Sequence, residues 1–236
     1  VPMMVASPWS KGGYVNSEVF DLTSSLMFLE NFLSNKTGKK IKSDNISAWR
    51  RAICGDLASV FRPYNGEQLN VPARLNKDSV IVNIQNAKSK PAQVAPTQLS
   101  QIEIDKINAV LPFQSGSSAF APVQEKGTKP ACALPYQLLV DSFKNLDQIE
   151  IDFKSLGTAF GQKLVNRGAP FNVYTPSVYQ NEAGRTWAYA VNAGDTITDS
   201  WKISDFENGI YNLVVDGPNG FYRHFKGDQN DPLLSI

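Results

Sequence analysis

One histidine, His224, and two cysteines, Cys54 and Cys132, bound the chemistry open to this chain of 236 residues. A zinc site needs Cys and His at short spacing, and here the two cysteines lie far apart with no histidine near either. Buried free thiols are their simpler use. Ser7, Ser10 and Ser17 surround the Gly12-Gly13 turn, where a serine invites reading as a nucleophile. Activation needs a base, and His224 lies over two hundred positions away in a predicted strand, so these serines are expected to be structural. Neither a Gly-x-Ser-x-Gly elbow nor a phosphate loop ending in Gly-Lys-Ser/Thr is present.

Glu150 and Asp152 share a strand face at i, i+2 and could meet a hard cation, although a solvated outward face is the plainer expectation. Arg50-Arg51 and Lys39-Lys40 could meet phosphate, but charge pairs near helix ends usually face water. Trp9, Tyr14, Trp49, Trp187 and Trp201 could build a choline or lipid pocket by cation–π contact. Trp187 alternates in step with Val191 and reads as core. Trp9 and Tyr14, in a Gly-rich loop, remain open as ligand contacts.

The elements that must position these groups follow from periodicity. Val1 to Ser7 is a short apolar run ending in Ser7-Pro8-Trp9-Ser10-Lys11-Gly12-Gly13, which predicts a buried strand feeding a loop. Asp21 can cap a helix carrying Leu22, Leu26, Leu29 and Leu33 at i, i+4, i+7, i+11, with Phe28 and Phe32 widening the stripe, and ending near Asn35 to Lys40. Ser47 can cap a second helix through Trp49, Ile53 and Leu57. From Arg62 to Pro135 the composition turns to Pro, Asn, Gln, Ser and Lys, with one short helix expected around Ile102 to Leu111.

Beyond Pro135 the period becomes two. Ile149, Ile151 and Phe153 alternate with Glu150 and Asp152, and Trp187, Tyr189 and Val191 with Ala188 and Ala190. Tyr211, Leu213 and Val215 run into Asp216-Gly217-Pro218-Asn219-Gly220, after which Phe221, Arg223 and Phe225 alternate again, predicting a hairpin. Seven or eight strands spanning about 137 to 227 predict an antiparallel β-sandwich.

The 23 basic and 22 acidic side chains leave a net charge of +1, so no global field favours nucleic acid, and none is expected as a partner. Residues 1–63 carry 8 basic and 5 acidic side chains, whereas 136–236 carry 8 and 12. No apolar run approaches the length of a membrane span. The opening at Val1, without an initiator methionine, reads as entry in mid-domain.

Several segments together resemble the C-terminal part of the bacterial phosphocholine-type phospholipase C family, which is also similar to certain acid phosphatases. Val1-Pro2-Met3-Met4-Val5-Ala6-Ser7-Pro8-Trp9-Ser10-Lys11-Gly12-Gly13, with Val15-Asn16-Ser17 and Phe20-Asp21, resembles the last stretch of its catalytic α/β domain. Ser47-Ala48-Trp49-Arg50-Arg51-Ala52-Ile53-Cys54-Gly55-Asp56-Leu57 resembles the segment that closes that domain. Gln124 to Tyr136 and Asp216 to Phe221 resemble the entry to, and final hairpin of, its small β-domain. Two departures stand out: Asp21-Leu22-Thr23-Ser24 replaces the family's Asp-His-Thr-Ser, and the β-domain occurs once where the family often carries two.

The resemblance implies an α+β chain: an incomplete α/β phosphoesterase remnant over 1–63, a connecting segment over 64–135 and a C-terminal antiparallel β-sandwich over 136–236. It implies hydrolysis of phosphatidylcholine or sphingomyelin by a secreted or periplasmic parent enzyme that uses a divalent metal. The family's nucleophile, histidines and metal ligands lie upstream of the segment matching Val1. No catalytic or metal-binding residue is therefore assigned here, no cofactor is expected in this chain, and the chain is expected to be a C-terminal fragment, inactive alone. Trp9, Tyr14 and Asn16 are the expected substrate contacts, and phospholipid headgroups or a membrane surface the expected partners of the parent. An unpaired N-terminal strand would expose backbone donors and favour a homo-oligomer. The alternative is a stand-alone β-sandwich module that binds lipid, glycan or protein; a third reading, a complete small hydrolase, needs a second chain or Ser/Lys chemistry.

Overall fold

The computed structural model describes residues 3–64, 66, 68, 73–109, 127–157 and 167–232. Among these the chain is mixed α+β, with four α-helices followed by nine strands in antiparallel sheets. It divides into two compact units, Val1–Glu67 with Pro130–Ile236, and Gln68–Lys129.

In the first unit, helix α1 (Leu22–Thr37) starts where expected. Asp21 accepts from the Thr23 amide at 2.7 Å, Ser24 Oγ accepts from the Asp21 amide, and Gly38 ends the helix with φ 68°. That reciprocal pair satisfies two of the donors a helix start leaves unpaired. Helix α2 (Ala48–Ile53) is capped by Ser47 as expected but stops before Leu57, whose φ of 65° lies in the left-handed region.

Two expectations fail here. Residues 3–6, the described part of the predicted first strand, are irregular; Val1 and Pro2 lie outside the described residues. A strand needs neighbours to take its backbone groups, and residues 3–6 pair with none; the isolated parallel bridge of this region lies further on, between Val15 and Ala131. The leucine stripe of α1 also faces outward, while Ser24 and Met27 on the other side are buried.

The rest of this unit is β-rich. Strands β1 (Leu138–Asn145), β2 (Gln148–Ser155) and β7 (Thr196–Lys202) form a three-stranded sheet in the order β1-β2-β7. A four-stranded sheet runs β6-β3-β8-β9, from β3 (Ala169–Tyr174), β6 (Thr186–Val191), β8 (Ile210–Gly217) and β9 (Phe221–Asp228). Short strands β4 (Val178–Tyr179) and β5 (Glu182–Ala183) pair separately. Alternation sets the faces: Ile149, Ile151 and Phe153 are buried while Glu150 and Asp152 stay partly exposed.

Both main sheets feed one core. Val140, Ile149, Ile151, Phe153 and Trp201 come from one, and Phe171, Val173, Val191, Leu213 and Val215 from the other. Phe153 stacks on Tyr189 at 4.5 Å and meets Phe171 at 5.5 Å. Trp187 packs against this core, edge-on to Trp201, as its alternation predicts. The predicted hairpin forms, with Leu213 opposite Phe225. A second cluster of Met27, Ile46, Ile53 and Cys54, with Val19, Ala52 and Ala190, packs the helices against β6.

In the second unit, α4 (Gln101–Asn108) begins at a Ser100–Glu103 capping box and matches the short helix expected there; Leu111 lies outside the described residues. Helix α3 (Asp78–Gln85) was not foreseen, because its Val80-Ile81-Val82 run is β-branched and lacks a helical period.

Candidate functional site

The Gly-rich loop after residue 7 borders a cleft of about 420 Å³ walled by Val5, Ser10, Tyr14, Asn16, Glu18 and Leu57, among others. Several hydrogen bonds hold this region in place. Ser10 Oγ donates to the Val5 carbonyl at 3.0 Å, and the Ser10 amide closes a turn onto the Ser7 carbonyl at 3.2 Å, so these serines brace the turn as expected. The Val15 amide donates to the Pro130 carbonyl at 2.9 Å, and the Cys132 amide donates to the Val15 carbonyl at 2.8 Å.

Glu18 is the most constrained group. It is 5% exposed, and its carboxylate accepts from Ser59 Oγ on one oxygen. Asn16 links the same two residues: its Nδ2 donates to Ser59 Oγ at 2.8 Å and its Oδ1 accepts from the Glu18 amide at 2.9 Å. Arg167 Nε lies 3.2 Å from the other carboxylate oxygen, which nevertheless accepts no hydrogen bond, so the N–H is not aimed at it. The same guanidinium pairs with Asp56. Burial pushes the Glu18 carboxyl above its usual range; Ser59 and Arg167 pull it back, and Asp56 adds repulsion. Gly55 sits directly against this carboxylate, where a Cβ would overlap it and the Phe20 ring.

The three expected substrate contacts separate. Tyr14 and Asn16 line the cleft, whereas Trp9 is exposed and stands outside its walls. The Arg62 guanidinium lies 3.5 Å from the centre of the Tyr14 ring and occupies one face of it. Glu18, Ser59, Arg62 and Arg167 escaped the sequence reading. The available signal was an acid, Glu18, set among Val15, Val19 and Phe20.

The other candidates resolve plainly. His224 is exposed on β9, 2.6 Å from Asn212 Oδ1 on the neighbouring strand. Arg51 is taken up by Glu30 through two bonds of 2.9 Å, and Arg50 pairs with Asp21, so neither is presented to phosphate. Asp152 accepts from Thr198 and Glu150 from Asn145. Both cysteines are free thiols, and burial pushes that of Cys54 up to about 11. Among the described residues no group of three or more His, Cys, Asp or Glu is placed to hold a metal ion. No helix described is long and apolar enough to cross a membrane.

Against this geometry, residues 130–228 match the family described as bacterial phospholipase C, C-terminal domain. The chain carries a bacterial phospholipase C C-terminal domain. Residues 1–34 match the phosphoesterase family. The whole chain is similar to the non-hemolytic phospholipase C of Pseudomonas aeruginosa, 36% identical over 234 residues, which is 97% of this chain and 28% of that protein. It is 33% identical over 227 residues to the non-hemolytic phospholipase C of Burkholderia pseudomallei, covering 96% and 28%. The hemolytic phospholipase C of P. aeruginosa is 31% identical over 242 residues, covering 97% and 30%. The chain thus spans less than a third of the length of these relatives. In this phospholipase C C-terminal domain, Arg167 and Tyr136 reach back to the phosphoesterase-like segment: Arg167 pairs with Glu18 there and with Asp56 beyond it, and Tyr136 Oη accepts from the Val19 amide.

Proposed function

We propose that this chain is the C-terminal portion of a phospholipase C that hydrolyses the phosphodiester bond of phosphatidylcholine or sphingomyelin, and that it is not catalytic by itself. The observation that carries the reading is the alignment of 97% of the chain with only 28% of a non-hemolytic phospholipase C. The residue inventory supports it. The sole histidine is bonded at the surface of β9, and the cleft holds a carboxyl tied to Ser59, which Asn16 holds in turn, rather than a histidine-activated nucleophile.

The two β-sheets sharing one core act as an accessory sandwich, fixed to the phosphoesterase-like segment by Arg167 and Tyr136. Tyr14 and Asn16 contact the choline headgroup at the edge of the cleft. Arg62 holds one face of Tyr14, so a quaternary ammonium group uses the opposite face, with the exposed indole of Trp9 beside the same loop. Residues outside this chain hold the divalent metal, and the enzyme works at phospholipid surfaces after secretion or in the periplasm.

The test is hydrolysis of p-nitrophenylphosphorylcholine by the purified chain, shown to be folded, with and without added divalent metal. The expected result is no turnover in either condition. Metal-dependent turnover that survives repurification overturns the reading, because a nucleophile and its ligands would then lie within these residues.

A further inference from the structure

Helix α1 shows two faces of opposite character. At about 100° per residue, Leu22, Leu26, Leu29 and Leu33 fall within about 60° of one another, roughly opposite Ser24 and Met27. The inner face is buried against Ile46, Ile53 and Cys54. On the outer face Leu22 is 89% exposed, Leu26 48%, Leu29 49% and Leu33 38%, with Phe32 beside them at 52%. Solvent-facing rows of this kind mark interaction surfaces.

The row is held rigidly. Glu30 on α1 is clamped by Arg51, Asn31 Nδ2 donates to Asp56 at 2.8 Å, and both helix ends are capped. A loose segment could rotate its leucines inward, but these bonds fix the rotation of α1.

We propose that this outer face of α1 is the seat of an α/β phosphoesterase body. The match to the phosphoesterase family runs over residues 1–34 and so contains every residue of the exposed row, while among the described residues the buried cluster that takes up α1 packs on its other face. Charge argues against a second copy as the occupant. The C-terminal end of α1 and the residues after it carry Lys36, Lys39, Lys40 and Lys42, and at its start the single acid, the N-cap Asp21, is already paired with Arg50. Antiparallel self-pairing sets those ammonium groups against the positive start of the partner helix, and parallel self-pairing sets them against one another.

The test joins this chain to the remainder of the P. aeruginosa non-hemolytic phospholipase C in place of the part it matches, with and without Leu26→Glu and Leu29→Glu together. In the chain alone, whose leucines face water, the double variant is expected to melt within about 2 °C of the parent. In the joined protein it is expected to lower the melting temperature by about 5 °C or more, and to abolish the added protection of α1 amides from hydrogen exchange. Equal melting temperatures and equal protection for the two joined proteins overturn the proposal, as does a joined parent that gains no protection of α1. Light scattering supplies the other arm. A dimer of the chain alone that the double variant splits assigns the face to a second copy and also overturns it.

Discussion

Replacing Glu30 by Gln removes a clamp between α1 and both α2, through Arg51, and the segment leading into it, through Ser43. Glu30 accepts two bonds of 2.9 Å from the Arg51 guanidinium and one of 2.6 Å from the Ser43 amide. The Arg51 and Glu30 side chains are only 19% and 12% exposed, so solvent screens the pair little. The Arg51 hydrogen bonds hold the Glu30 carboxyl down from 4.5 to about 2. Through proton linkage that gap corresponds to about 3 kcal/mol of stability at neutral pH. Because the folded-state value is depressed, the contribution is present in full above pH 4.5 and drains away as pH falls toward 2. Glu30→Gln should therefore cost about 3 kcal/mol at pH 7 and only about 1 kcal/mol at pH 3. Glu18, whose carboxyl shifts the other way, contributes equally to parent and variant and cancels from the difference. Urea unfolding followed by tryptophan fluorescence at pH 7, 5, 4 and 3 measures the gap. A gap that stays constant across this range, or one below about 0.5 kcal/mol at pH 7, refutes the argument.

Two further outcomes follow from packing. A Cβ at Gly168 would overlap the backbone carbonyl oxygens of Ala52 and Val191, which cannot swing aside as a side chain can, so Gly168→Ala should lose about 1–3 kcal/mol in urea unfolding; full stability in the variant would show that α2 does not seat on the β-rich part as described. The Cys54 thiol is buried and pushed up to about 11, while Cys132 is only partly buried, so a thiol reagent at pH 8 should modify Cys132 first and reach Cys54 only on unfolding; peptide mapping after brief native labelling checks this, and early modification of Cys54 would contradict it.

The local elements were legible because their causes are local. Asp21 and Ser24 lie one turn apart and Gly38 follows the last turn, so α1 could be bounded from spacing alone. The alternation of Ile149, Ile151 and Phe153, and the turn before Phe221, likewise identified strands and a hairpin from neighbouring residues. The family resemblance was legible for a related reason, since it rests on runs of sequence rather than on their arrangement.

The partner of each face was not legible. Periodicity says that α1 has a leucine face but not what covers it, and the structure buries Ser24 and Met27 instead. Val1 to Ser7 has a strand's composition, yet a strand is made by the neighbours that accept its hydrogen bonds, and the described residues of this run find none. The local sign of Glu18's burial is no more than its setting among Val15, Val19 and Phe20, which does not name its partners. Asn16, Ser59, Asp56 and Arg167 surround it from positions as distant as 149 residues along the chain, and only their convergence makes it a buried carboxyl beside a cleft. The sequence by itself determined the helix caps, the strand alternation and the family likeness, because each depends on residues within a few positions. Tertiary structure decided which surfaces are buried and which charges meet, because desolvation and ion pairing are set by distance in space.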